Sequence, residues 1–130
     1  DPRGLEPILE KARQLAPTNA FSHFRAVSLA CEALGDRRAA PVLADLLALP
    51  GVGGHAVTNI ASALASPPTG RTDNEQRNRQ LIELTLARAL YRCGDHEGLG
   101  ERTLRAYASD LTGHYARHAK AVLEEKKGGK

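Results

Sequence analysis

The segment FRAVSLACEALGD at residues 24–36, followed directly by RRAAPVLADLLAL at residues 37–49, decides how this chain folds. In both segments apolar residues recur at intervals of three and four, as on one face of a helix. Gly35 suits the left-handed conformation that ends a helix, and the Asp36 carboxylate can accept backbone N–H groups where the next helix begins. The pattern therefore predicts two helices joined by a tight corner at Gly35-Asp36.

The same apolar spacing recurs along the rest of the chain. Ala and Leu, both strong helix formers, supply most of the 42% hydrophobic content, and no convincing alternation of β-branched residues is present. Pro41 favours the first turn of a helix over its interior, so the helix after the corner should span about Ala40–Leu49. We expect an all-α chain of about six or seven helices. The other helices are expected over residues 2–15, 21–34, 55–65, 75–93, 99–111 and 114–125.

The length of 130 residues fits one domain, which we expect to span residues 1–126. A surface loop is expected at residues 66–74, between two halves, and a disordered tail at residues 127–130. The chain begins at Asp1 and contains no Met, so we expect a fragment of a longer protein. No apolar run approaches the roughly 18 residues of a membrane span, so we expect a soluble chain with no membrane partner. The cellular compartment stays open.

The chain is mildly basic, with a net charge of +3 and a pI of about 9.1. A nucleic-acid-binding domain of this size usually carries a stronger, clustered excess together with aromatic residues for base stacking. Aromatic residues make up only 4% of this chain, so nucleic acid is a disfavoured partner. A solvated edge is the simpler explanation of the most concentrated arginines outside the tail. The alternative is an interaction edge made of Arg37, Arg38, Arg77 and Arg79.

Two dipeptides recur at the same distance along the chain. Gly35-Asp36 reappears as Gly94-Asp95, and Gly54-His55 reappears as Gly113-His114, both 59 residues later. Ala30 and Ala89 match at the same offset. Internal repetition at a fixed period is the signature of repeat architectures. We therefore interpret five residues as structural caps rather than as parts of a catalytic site: Asp36, Asp95, Gly35, Gly94 and Gly113.

The run ALGDRRAAPVL at residues 33–43, continued by Leu46-Leu47, resembles the HEAT-like repeats of the bilin-lyase type. That pattern is an Ala-rich helix, Gly-Asp, two residues, Ala, one residue, Pro, one residue and Leu. The resemblance covers residues 24–49 well and residues 1–15 loosely, and at the second corner glycines replace the Ala and the Pro. It implies an α-solenoid, in which antiparallel helix pairs stack into a curved right-handed α-α superhelix.

A second resemblance lies in the C-terminal third, at residues 90–100, Tyr107, Asp110-Leu111 and 113–119. Together these residues resemble the C-terminal helical end of some bacterial FAD-dependent oxidoreductases. In those proteins the flavin domain lies upstream. The resemblance therefore implies an accessory domain that carries no part of the flavin site.

Two pairs of residues are candidates for special chemistry. His114 and His118 are four residues apart on one predicted helix, which is the spacing of two metal ligands. His114 repeats His55, which has no such partner, so a structural role at a helix start is the simpler interpretation. Cys31 and Cys93 lie near the ends of predicted helices. We therefore interpret both cysteines as small buried apolar residues rather than as a disulfide bridge or a reactive thiol.

The remaining motifs do not predict an active site. Gly51-Val52-Gly53-Gly54 follows a helix rather than a strand, so it predicts a turn and not a nucleotide-binding loop. No Ser-His-Asp or Cys-His arrangement stands out, so we expect no catalytic residue, no cofactor and no enzymatic activity in this segment. The sequence favours a non-catalytic helical-repeat interaction or scaffold domain for a protein partner or an adjoining domain. Two alternatives stay open: an accessory domain of a bacterial FAD-dependent oxidoreductase, and a HEAT-like module that binds nucleic acid.

Overall fold

The computed structural model of the chain describes residues 2–16, 21–56, 71–110 and 115–128. Every regular element within these residues is an α-helix, so the all-α prediction is confirmed. The helices, numbered in chain order, are α1 Pro2–Arg13, α2 Phe21–Leu34, α3 Ala39–Leu47, α4 Arg71–Arg92, α5 Leu99–Ala108 and α6 Ala116–Gly128.

Two predicted boundaries are wrong. The helix α4 begins at Arg71, so residues 71–74, which we expected in the loop at 66–74, are helical. None of these four residues is Pro or Gly, and the helical backbone therefore costs each of them only a small propensity term. The helix α6 continues to Gly128, past the expected start of the tail at residue 127, because Lys126 and Lys127 are good helix formers. The helix predicted over 55–65 falls largely on residues outside the described part of the chain.

The long helix α4 is the centre of the packing. It contacts α2, α3, α5 and α6, while α1 contacts α2 and α3. The helices α2 and α3, although joined by the corner, contact each other far less than each contacts α4. The α2–α3 pair therefore packs against both α1 and α4. The largest fully buried apolar or aromatic side chains come from all six of these helices: Leu5, Phe24, Leu43, Leu86, Leu90, Leu104, Tyr107 and Val122.

Side-chain contacts fix the directions in which α2 and α4 run. Phe24 near the start of α2 and Ile82 near the middle of α4 line the same small cavity. Further along both helices, near their ends, the Cys93 thiol lies 3.4 Å from the carbonyl oxygen of Cys31. The two helices are therefore parallel.

The helix α6 runs in the same direction as α4. His118 lies beside Arg88, and further along both helices Glu125 pairs with Arg92, four residues after Arg88 and seven after His118. The helices α2, α4 and α6 thus form a row of parallel helices.

The helices α3 and α5 run in the opposite direction. Arg37, before the start of α3, packs on Gly94 just after the end of α4, whereas the amide of Gly54, beyond the end of α3, bonds to Glu83 near the middle of α4. Tyr107 near the end of α5 bonds to the same carboxylate, while the start of α5 lies at the end of α4. Helix direction therefore alternates along the chain: α2, α4 and α6 run one way, and α3 and α5 run the other.

The second corner differs from the first because its backbone is left-handed at more residues. Asp95, Glu97 and Gly98 have φ values of 66°, 53° and 75°. Gly100 then brings α5 against the backbone of α4. A Cβ at Gly100 would lie 3.1 Å from the Tyr91 nitrogen and 3.2 Å from the Ala87 oxygen. The two glycines that break the HEAT-like pattern are therefore required by the geometry of this corner.

We expect Gly100→Ala to lower the free energy of unfolding by about 2 kcal/mol, because the added methyl group overpacks a backbone contact. Gly4→Ala is the matched control, since a Cβ at Gly4 in α1 meets nothing within 4 Å. Alanine at position 4 should stabilise α1 by up to about 1 kcal/mol. Urea unfolding followed by circular dichroism measures both changes. A Gly100→Ala chain as stable as the wild type would contradict the close approach of α4 and α5.

Candidate functional site

The first corner is held by a carboxylate–arginine pair. Asp36 Oδ1 accepts a hydrogen bond of 2.9 Å from the Arg38 backbone N–H, and Arg38 Nη2 donates to Asp36 Oδ2 at 2.7 Å. These bonds from Arg38 lower the pKa of Asp36 to about 2. Arg38 itself takes the cap position of α3, so Asp36 closes the turn two residues before the helix rather than capping it directly. Gly35 has a φ of 60°, the left-handed conformation that ends α2.

The aspartate of the second corner accepts hydrogen bonds from more backbone N–H groups than the aspartate of the first. Asp95 Oδ1 accepts from the backbone N–H groups of His96 and Gly100, both at 2.7 Å. Asp95 Oδ2 accepts from the Glu101 N–H at 2.9 Å. One carboxylate therefore satisfies three backbone donors at the start of α5. Gly94 has a φ of 105°, while Gly113, the fifth predicted cap, lies outside the described residues.

The two corners lie against each other. The Arg37 side chain packs over Gly94 so closely that a Cβ at Gly94 would be 3.2 Å from Arg37 Nε. The positions related by the 59-residue repeat are therefore neighbours at one end of the helix array. Their aspartates serve local turns and do not face a common substrate position.

We expect Asp95→Ala to lower the free energy of unfolding by about 2 kcal/mol, because three backbone donors lose their acceptor at once. Asp36→Ala should cause a smaller loss, since its carboxylate binds a single backbone donor and an exposed arginine. Asp95→Asn keeps an acceptor oxygen and should fall between the wild type and Asp95→Ala. Urea midpoints for the three variants give the order. Equal losses at Asp36 and Asp95 would contradict this account of the corners.

The predicted arginine edge is divided between two separate places. Arg37 and Arg38 lie at the corners, where α4 ends. Arg79 lies in the first half of α4, beside the cavity that Gly51 also lines. The rise of an α-helix places Arg79 about 20 Å from the end of α4. The side chain of Arg77 lies outside the described part of the chain.

Charged side chains instead converge across the row of parallel helices. We call this set the three-helix ion network; its members are Glu32 on α2, Arg88 and Arg92 on α4, and His118 and Glu125 on α6. Glu32 accepts from Arg88 Nε at 2.7 Å and from Arg92 Nη1 at 3.1 Å. Arg92 Nη2 donates to Glu125 at 2.6 Å. Glu32 is only 11% exposed, whereas Glu125 is 50% exposed, so the network runs from the interior to the surface.

The carboxylates and arginines of the network neutralise each other's charge. The hydrogen bond from Arg92 lowers the pKa of Glu125, and the bond to Glu125 raises the pKa of Arg92. Arg88 and Arg92 together bridge three helices, which makes the network a structural clamp on the parallel row. Charge-assisted bonds of this kind fix helix register more than they supply a reactive group.

One of the two candidate metal ligands, His118, lies within the described residues and belongs to the network. His114 lies outside the described residues. His118 Nε2 lies 3.4 Å from Arg88 Nη1, which makes the neutral imidazole a suitable acceptor. Burial, followed by the charges of Arg88 and Arg92, lowers the pKa of His118. No group of three or more His, Cys, Asp or Glu side chains that could hold a metal ion occurs within the described residues.

We expect His118 to titrate below the ordinary histidine value of 6.5. Because its pKa is lower in the folded chain, stability contributed by its neutral form falls as the pH drops through 6.5 towards the lowered value. Arg88→Gln should raise the pKa of His118 part of the way, since burial persists. Arg105→Gln, on α5, should leave it unchanged. Proton NMR titration of the His118 ring measures each value. A His118 pKa at or above 6.5 in the wild type would contradict the packing of this ring against Arg88.

A second polar cluster is buried on the other side of α4. The Glu83 carboxylate accepts from the Gly54 N–H at 2.8 Å, from the His55 N–H at 2.9 Å and from the Tyr107 hydroxyl at 2.6 Å. Gln80 donates to the His55 carbonyl at 3.0 Å. Burial and the Glu83 charge raise the pKa of Tyr107. The cluster holds the turn after α3 and the end of α5 against α4, and its carboxylate is fully engaged with donors.

Both cysteines are buried and free, and they touch. The Cys93 thiol donates to the Cys31 carbonyl at 3.4 Å. Burial raises the pKa of Cys31 to about 11 and that of Cys93 to about 12. Since the thiolate is the reactive form, neither group is a nucleophile near neutral pH.

Two cavities lined by described residues are small for ligand sites. An open cleft of about 240 Å³ lies between α5 and α6, and a cavity of about 60 Å³ lies beneath Arg79. Pockets that bind small molecules usually have volumes of roughly 300–1,000 Å³. Residues lining the larger cleft are Arg105, Ala108, Ser109, Lys120, Leu123 and Glu124.

Three of the residues that organise these clusters were not predicted from the sequence: Glu32, Glu83 and Arg88. Glu83 does leave a signal, because it is a charged residue inside the apolar run LIELTL at residues 81–86. A charge in such a run indicates a buried polar group with fixed partners. Glu32 and Arg88 are 56 residues apart, and no local pattern pairs them.

Comparisons with protein-family models, curated protein sequences and solved structures found no match to this chain. Among the helices of the described residues, none is both long enough and apolar enough to cross a membrane.

Proposed function

We propose that this chain is a non-catalytic helical-repeat module, a HEAT-like solenoid segment, that serves as an interaction or scaffold domain for a protein partner or an adjoining domain. The observation that carries the proposal is the alternation of helix direction around α4. The parallel row of α2, α4 and α6 has α3 and α5 running against it. Stacked antiparallel units with neighbouring corners are the geometry of a solenoid.

The chemistry of the polar side chains supports the same function. Four carboxylates at the corners or in the core bind backbone N–H groups, an arginine or a tyrosine: Asp36, Asp95, Glu32 and Glu83. Both thiols are buried and protonated. In a solenoid such groups hold repeats in register, and the exposed helix faces make the contacts with partners.

A nucleic-acid role has less support from the same side chains. Phosphate binding requires cations that project together from one surface. Five of the described arginines are paired with carboxylates of this chain instead: Arg13, Arg38, Arg88, Arg92 and Arg105.

Photo-crosslinking in the cell that makes this protein tests the proposed function. A photoreactive phenylalanine analogue replaces, one at a time, an exposed residue on α1, α2, α5 and α6: Lys11, Arg25, Arg102 and Ala121. We expect irradiation to join the chain to one discrete protein from adjacent positions and not from all four, because a solenoid binds through one surface. Unirradiated samples are the control. Absence of any product from all four positions, in a folded chain, would overturn the interaction function.

A further inference from the structure

One exposed helix face lacks the charges that solvated helix faces usually carry. We call it the α2 apolar strip: Ala26, Leu29, Ala30 and Ala33. The intervals of three, one and three residues place all four side chains on one side of α2. Ala26, Leu29 and Ala33 are exposed, and Ala30 is half-buried. Leu29, at 37% exposure, is the exposed large apolar side chain of the described residues.

The 59-residue repeat relates this strip to a surface of α4 that is already covered. The equivalents of the strip are Thr85, Arg88, Ala89 and Arg92. Thr85 is 6% exposed and Ala89 is fully buried, in contrast to Ala26 and Ala30. Arg88 and Arg92 both bond to Glu32 of α2.

Ala89 also shares its side of α4 with the residues that meet α2. Ile82 and Cys93 lie seven residues before and four residues after it, which is the spacing of one helix face. Ile82 shares a cavity with Phe24, and Cys93 touches Cys31. The covered surface of α4 is therefore its interface with α2. The same surface on α2 is open.

We propose that the α2 apolar strip is a docking surface for an amphipathic α-helix of a partner protein, lying parallel to α2 as α2 lies beside α4. This inference rests on the proposed interaction function and names the chemistry of its partner. The strip continues the established α2–α4 interface by one position in the parallel row. Its three alanines allow a close approach of the incoming helix backbone.

A difference between the two surfaces defines what the partner helix carries. On α4 the two less buried positions are Arg88 and Arg92, with side chains 18% and 33% exposed, and α2 presents Glu32 to them. On α2 the equivalent positions are Leu29 and Ala33. A carboxylate placed there would lose hydration without gaining a cation. The partner helix therefore has an apolar residue at the position that Glu32 occupies in α2.

A pair of peptides tests this specificity directly. Both copy residues 21–34, the segment that occupies the corresponding place on α4, with capped ends and Cys31→Ser to prevent oxidation. One keeps Glu32 and the other carries Glu32→Leu. The proteins are the full wild-type chain and a Leu29→Arg/Ala33→Arg variant. Both substituted positions are exposed, and circular dichroism checks that the variant keeps its fold.

We expect the wild-type chain to bind the Glu32→Leu peptide at least tenfold more tightly than the Glu32 peptide. The Leu29→Arg/Ala33→Arg variant should reverse this preference, because it restores the two cations that α4 presents to Glu32. Fluorescence anisotropy measures the affinities. Amide NMR shifts should locate the peptide on α2 and leave α5 unchanged.

Three outcomes would overturn the proposal: no saturable binding of either peptide, the same preference in both proteins, or NMR shifts confined to helices other than α2. None of these outcomes decides the photo-crosslinking test, so failure of the docking proposal can be distinguished from failure of the proposed interaction function. Sedimentation of the chain alone tests whether a second copy of this chain occupies the strip instead. A dimer that Leu29→Arg/Ala33→Arg dissociates would show that a second copy covers the strip, and the partner-helix proposal would be wrong.

Discussion

The buried carboxylate of Glu83 is the constraint on which the arrangement around α4 depends. A charge in the interior is tolerated only when donors surround it, because an unpaired one is strongly destabilising. Here the donors come from two other parts of the chain, the turn after α3 and the end of α5. Satisfying Glu83 therefore requires both segments to lie on α4 in fixed register. The antiparallel placement of α3 and α5 follows from that requirement.

The face of α4 opposite Glu83 carries two arginines that bind carboxylates of the neighbouring helices. Arg88 and Arg92 stand where α2 and α6 flank α4, and their guanidinium groups reach Glu32 on one neighbour and Glu125 on the other. Planar guanidinium groups can bond two partners in a defined geometry, which a lysine cannot do as well. One face of α4 thus orders the antiparallel helices through a buried anion. The opposite face orders the parallel helices through cations.

The elements of the fold could be predicted from the sequence because they depend on local patterns. The apolar spacing in residues 24–49 and the Gly35-Asp36 corner were sufficient to predict α2, the corner and α3. The start of α4 was missed because residues 71–74 are polar, and polarity alone does not prevent a helix. The contacts that join the helices were also missed. Glu32 and Arg88 pair across 56 residues, and Gly100 is required by a backbone approach that no local pattern reveals.

The contact between Cys31 and Cys93 gives the parallel row a built-in reporter of its own opening. Each thiol is shielded from solvent as long as α2 stays on α4, and each comes from a different helix of that interface. Covalent labelling can then proceed only through transient separation of the two helices. When reclosing is faster than labelling, the labelling rate measures the free energy of that local separation rather than of global unfolding. Equal protection of the two sulfurs would mean that α2 and α4 part as one cooperative event, and unequal protection would mean that one helix frays before the other.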